Sequence, residues 1–108
     1  MISDISALAS ITWNSTYVTT DYRTSVNKVG SVYAVSFAIQ LTSVGDTKTI
    51  GTINNFSSRY SICDFLAFLS GASQQACPFY VNDNGEIKNN SNSLVGGTYF
   101  ANFAIPTK

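Results

Sequence analysis

The most regular feature of the chain is an alternation of side-chain size between residues 31 and 42. Tyr33, Val35, Phe37, Ile39 and Leu41 hold the odd positions; Val32, Ala34, Ser36, Ala38, Gln40 and Thr42 hold the even ones. Period two over this length predicts a β-strand with one bulky face for a core and one small face. The small face suits solvent, or a second surface that approaches closely. Residues 12–18 are rich in β-branched and aromatic side chains, with Trp13 and Tyr17 on one side, and predict a first strand. Residues 22–27 read as the connection from that strand to the long one. Residues 47–53 predict a short strand. Residues 61–69 carry Ile62, Phe65, Leu66, Phe68 and Leu69, apolar on both faces, the pattern of a central strand. Residues 77–82 and 86–88 flank Asp83-Asn84-Gly85. Asn-Gly between strand-like runs predicts a hairpin whose two turn positions take positive φ. Residues 98–105, with Tyr99, Phe100 and Phe103, predict the last strand.

Turn-forming residues separate these segments at 43–46, 54–58, 70–75 and 89–93, a spacing of about ten residues, which is the rhythm of a sandwich or barrel. The expected fold is all-β, an antiparallel β-sandwich of jelly-roll type spanning residues 11–108. Residues 1–10 differ. Ile2, Ile5 and Leu8 can share one face of a short helix, so the segment reads as a linker or the end of a stem helix. An ordered arm on the sandwich is the competing reading. No apolar run approaches the roughly 20 residues that cross a bilayer as a helix, and no basic segment of a signal peptide follows Met1. Membrane insertion and export by that route are therefore not expected.

Composition narrows the function. Only 11% of the 108 residues are charged, 6 basic and 6 acidic, and there is no histidine. An ordinary domain carries roughly 25% charged residues. Zero net charge argues against nucleic acid, whose binders present a basic surface to phosphates. The lack of histidine excludes Ser-His triads and Cys-His dyads. Solubility falls instead to 15 Ser, 11 Thr and 10 Asn, a third of the chain. Low net charge also favours association.

Cys63 and Cys77 lie symmetrically about Ser70, so a hairpin turning there leaves a disulfide open, with two buried thiols the plainer reading. Two cysteines without histidine do not make a structural zinc site. Among the acids, Asp64 alone sits inside an apolar run, and Asp83 and Glu86 are accounted for by turn and strand-edge chemistry. No pair satisfies the demands of a glycosidase, there is no phosphate loop, and the chain reads as a non-enzyme without cofactor or metal. Binding is the better prospect. Aromatic rings beside amides and hydroxyls suit neutral sugars, whose C–H faces pack on rings while their hydroxyls exchange hydrogen bonds. The best local clusters are Trp13 with Asn14, and Tyr80 with Asn82 and Asp83.

Three stretches resemble bacteriophage tail and baseplate receptor-binding proteins. They are Tyr22-Arg23 followed by Lys28-Val29-Gly30 and Val32 to Phe37; Thr49-Ile50-Gly51-Thr52-Ile53 followed by Arg59-Tyr60; and Phe79 through Ile87 with its Asn-Gly turn. The prolines usual in the second element are absent, with Asn54 and Ser61 near those places, and its Tyr-Arg order is reversed. The resemblance implies a C-terminal head domain that works on the virion as a homotrimer, with host cell-wall or capsular saccharide and other virion tail proteins as partners. Avidity from three sites would then offset weak single-site affinity. Two other readings remain: a structural baseplate or decoration domain that touches only virion proteins, and a carbohydrate-binding module of a larger enzyme.

Overall fold

A computed structural model of the chain describes residues 10–71, 75–90 and 93–107. It contains β1 (Ser10–Trp13), β2 (Val18–Val29), β3 (Val32–Leu41), β4 (Thr49–Asn54), β5 (Ile62–Leu69), β6 (Gln75–Asn82), β7 (Glu86–Asn89) and β8 (Gly97–Pro106). All pairings are antiparallel, in one sheet of order β1-β4-β7-β6-β5-β8-β3-β2. The sheet rolls into a nearly closed barrel. Its two edge strands meet through side chains: Trp13 Nε1 donates to Thr24 Oγ1 at 3.1 Å, and Thr24 Oγ1 donates to Asp21 Oδ1 at 2.7 Å. Opposite this seam, β5 and β8 pair at only two positions, Phe68 with Phe100 and Leu69 with Tyr99. The rings of Phe65 and Phe103, stacked 3.8 Å apart, belong to these two strands.

The alternation read in residues 31–42 forms β3 with the expected facing. Tyr33, Val35, Phe37, Ile39 and Leu41 are all buried. Phe37 lies at the centre, edge-on to Trp13 at 5.1 Å, Phe65 at 6.2 Å and Phe103 at 6.4 Å. Phe79 packs between Phe65 and Tyr99. One residue from the turn-like stretch 89–93 also belongs inside. Asn89 is fully buried, accepting from Lys48 N at 2.7 Å and donating to Gly45 O at 2.8 Å, so it clamps the β3–β4 loop to the end of β7.

Several expectations change. Residues 12–18 are not one strand: Asn14 ends β1, its carbonyl accepting from Tyr17 N and Val18 N, and its side chain accepting from Thr16 N. Asx turns of this kind compete with strand pairing. Residues 22–27, read as a connection, lie within β2, the longest strand at 12 residues. That strand sits at the sheet edge with most side chains exposed, so it has no alternation to read, and its pairing with β3 specifies it. The 82–86 turn has positive φ at Gly85 (83°) and not at Asn84. Asn82 O accepts from Gly85 N, giving a three-residue loop with a left-handed last residue rather than the two-residue turn. The β5–β6 register places Cys63 opposite Val81 and Cys77 opposite Ala67, so the sulfurs are offset by four residues along the hairpin and both thiols are free. Ser10 begins β1; the helix or linker expected before it lies outside the described residues.

Gly85 does two jobs. Besides its φ, a Cβ there would stand 2.5 Å from Ile53 O, where β4 crosses the turn and Ile53 N donates to Gly85 O. Gly85→Ala is expected to cost at least ~2 kcal/mol, lowering the thermal midpoint by roughly 8–16 °C. A thermal melt within a degree or two of the parent would contradict this reading of the turn.

Strand direction alternates, so odd strands all run toward one end. Ser10, the turn at Gly30, residues 55–61, residues 83–85 and Thr107 gather at the end where the described chain enters and leaves. Residues 14–17, 42–48 and 93–96 gather at the opposite end.

Candidate functional site

The outside of the barrel divides into two chemically distinct halves. Over β1, β4, β7 and β6 the outward side chains are Ser10, Thr12, Thr52, Asn54, Glu86, Lys88, Tyr80 and Asn82, with Asp64 beyond them on β5. Register sets the rows: Thr12 beside Thr52 beside Glu86, and Lys88 beside Tyr80 beside Asp64. Tyr80, half-buried, therefore sits between a cation and a carboxylate in the polar face. Asn54 Nδ2 donates to both Ser10 Oγ and Thr12 Oγ1 at 2.9 Å. Lys88 Nζ stands 3.9 Å from Glu86 Oε1, an exposed pair of small energetic weight.

Over β5, β8 and β3 exposed apolar and small side chains lie among a few polar ones, Asp64, Thr98, Asn102 and Gln40. Ile62, Leu66, Phe68 and Phe100 are 57%, 50%, 46% and 38% exposed, far from the burial their size calls for. Phe68 and Phe100 are cross-strand neighbours, and Phe100 in turn faces Ala38. Ala34 and Ala104 pair further along. The hydroxyl of Ser36 in this face is shielded from solvent and makes no hydrogen bond.

The expected binding residues do not converge. Trp13 lies on β1, its ring against Phe37 and over Gly51, where a Cβ would stand 2.6 Å from Trp13 Cε3. Its indole N–H is committed to Thr24. Asn14 donates to Thr49 O at 3.0 Å and caps the turn at the far end of the barrel. Tyr80, Asn82 and Asp83 belong to the β6–β7 hairpin. Asn82 builds its turn, accepting from Asn84 N and Glu86 N and donating to Glu86 Oε1 at 2.8 Å. Asp83 is exposed at the tip. Tyr80 and Asp83 thus keep their polar groups on the surface, while Trp13 and Asn14 spend theirs inside the fold. Lys88 and Asp64 join Tyr80 through cross-strand register, which residue spacing does not carry, while Glu86 is tied to Asn82 within the hairpin turn. Among the described residues there is no group of three or more metal-ligating side chains.

No family model and no curated protein matches the chain. Among solved structures it is similar to the head domain of lactococcal phage bIL170, known from crystallography and described there among the receptor-binding domains of lactococcal phages. The two share 18% identity with a TM-score of 0.66, over 92% of this chain and 100% of that one. The chain has the fold of that phage head domain.

Proposed function

We propose that this chain is the receptor-binding head of a phage tail or baseplate protein, acting on the virion at the host surface. The observation that carries the reading is the fold shared with the bIL170 head over nearly the whole chain. The three sequence stretches that resemble phage tail proteins support it independently. Residues 11–108 are then the head, and residues 1–10 the linker or end of a stem helix, whose last residue, Ser10, already begins β1. Ser10, Thr107 and the 83–85 turn share one end of the barrel, so a stem attached there leaves the Tyr80 face on the flank, Asp83 at the stem end and residues 14–17, 42–48 and 93–96 at the outer end. The sandwich of jelly-roll type is supported by the two weak lines in the barrel, at Trp13–Thr24 and along β5–β8. These divide the strands into a five-stranded and a three-stranded layer across the core. The crossings from β3 to β4, β4 to β5 and β7 to β8 each join strands that are not neighbours, as Greek-key connections do.

The ligand we infer is a neutral cell-wall or capsular saccharide, and the assembly a homotrimer. For the ligand, the support is the polar face around Tyr80 and Asn82, where the hydroxyls and amides of Thr12, Thr52 and Asn54 lie beside the balanced charges of Asp64, Asp83, Glu86 and Lys88. For the trimer, it is the exposed apolar side chains of Ile62, Leu66, Phe68 and Phe100 on β5 and β8, of a kind that soluble monomers seldom leave open, although Asp64 interrupts the row. Tyr80→Ala is expected to weaken binding of the purified chain to host cell-wall preparations at least about tenfold, a loss near 1.4 kcal/mol, without altering its assembly. Unchanged wall binding in that variant would remove Tyr80 from the site. If the chain ignores walls altogether and binds only virion proteins, the structural baseplate reading replaces this one. A monomer under all conditions would favour a module of a larger enzyme.

A further inference from the structure

A second place on the barrel has the shape and chemistry of a sugar subsite. β6 runs from Gln75 to Asn82, but β7 pairs with it only from Phe79 to Val81. The last tie is Asn90 N–H donating to Pro78 O at 3.0 Å. Leu94 pairs with Val44, the two residues exchanging backbone hydrogen bonds at 2.8 and 2.9 Å. Among the described residues no strand pairs with the first half of β6 on that side, and a cleft of about 290 Å³ opens between it and Ser93 and Leu94. Gln75, Ala76, Cys77, Pro78, Ser93 and Leu94 line it.

The lining is selective. Ala76, Pro78 and Leu94 supply apolar wall, while the exposed Gln75 amide and Ser93 hydroxyl supply donors and acceptors at the rim. No charged side chain lines the cleft, so an anion entering it would lose water without gaining a counter-ion. Cys77 is buried in the strand, its Sγ turned to Gln75 O at 3.8 Å, and burial raises its thiol pKa, so it is an inert wall rather than a nucleophile. The volume lies at the small end of ligand pockets, which suits a single ring. The cleft also lies toward the end of the barrel opposite Ser10 and Thr107. Pro78 precedes Tyr80 by two residues on the same strand, about 6.6 Å along it.

We propose that this cleft is a binding subsite for one neutral pyranose unit of a surface saccharide, distinct from the face around Asp83 and continuous with Tyr80 along β6. The inference rests on the receptor-binding reading for its ligand class. Amide NMR of the full chain titrated with glucose, galactose and N-acetylglucosamine, and with glycerol 3-phosphate as an anionic control, tests it. At least one neutral sugar is expected to shift the amides of Ala76, Cys77 and Leu94, and the anion is not. Ser93→Trp, which fills the cleft from its exposed rim, is expected to abolish those shifts and to weaken wall binding at least about tenfold. Shifts confined to the Tyr80 and Asp83 region, or a Ser93→Trp chain that binds walls as the parent does, would overturn the subsite while leaving the receptor reading intact. Sugar shifts at the cleft in a chain that ignores host walls would uphold the subsite and contradict the receptor reading.

Discussion

Phe37→Ala is expected to lower the unfolding free energy by about 4 kcal/mol, a large part of the 5–15 kcal/mol that holds a domain together. The ring is fully buried at the centre of β3 and meets aromatic partners from three other strands: Trp13 of β1, Phe65 of β5 and Phe103 of β8. Those partners surround the ring from three strands of the barrel, so the cavity cannot close by moving one neighbour. Trp13 loses its edge contact while remaining tied to Thr24, and the Phe65–Phe103 stack loses its support. Urea unfolding is the measurement. A midpoint that falls with an unchanged slope is the expected result, and a loss below ~2 kcal/mol would mean that the core relaxes around the site.

If the chain assembles as the proposed trimer, Leu66→Glu is expected to turn it into monomers with little change in the stability of the barrel itself. Leu66 points outward from β5, half exposed, opposite Pro78 and flanked along its strand by Asp64 and Phe68. In a lone barrel a charge there meets water and costs within about 0.5 kcal/mol. In an assembly that covers the face, three carboxylates would be drained of water with no cation near them, a cost of several kcal/mol per buried ion. Light scattering at micromolar concentration separates the cases. A threefold fall in mass with an unaltered melt supports the interface. An assembly that survives places the contact elsewhere.

The residues that carried the fold in the sequence were those whose period matched their burial. β3 was legible in both extent and facing, because its odd positions alone are large. β5 was legible as an inner strand, and its even positions, Ile62, Leu66 and Phe68, held the signal of the apolar outer face. β2 was not legible: its side chains are mostly solvated, and the partner that makes it a strand lies beyond the turn at Gly30. Asn14 broke the first strand through a local hydrogen-bonding pattern that the apolar count around it concealed. The free cysteines follow from the hairpin register, which turns two residues later than the symmetry about Ser70 implies. The candidate site divided the same way. Tyr80, Asp83 and Glu86 are local to one hairpin and legible as a cluster, but Lys88 and Asp64 reach Tyr80 only across strands. The cleft beside Cys77 exists because β7 stops short of β6, a difference in strand length that spacing does not reveal.

The central claim is that this barrel touches the host. The most direct test is competition: purified chain is added to bacteria of the host strain before the phage, and free phage is counted after adsorption. A saturable fall in adsorption, reversed by soluble wall saccharide, is the result this account expects. Undiminished adsorption at saturating chain, with the chain recovered on virion proteins and not on cells, would contradict it.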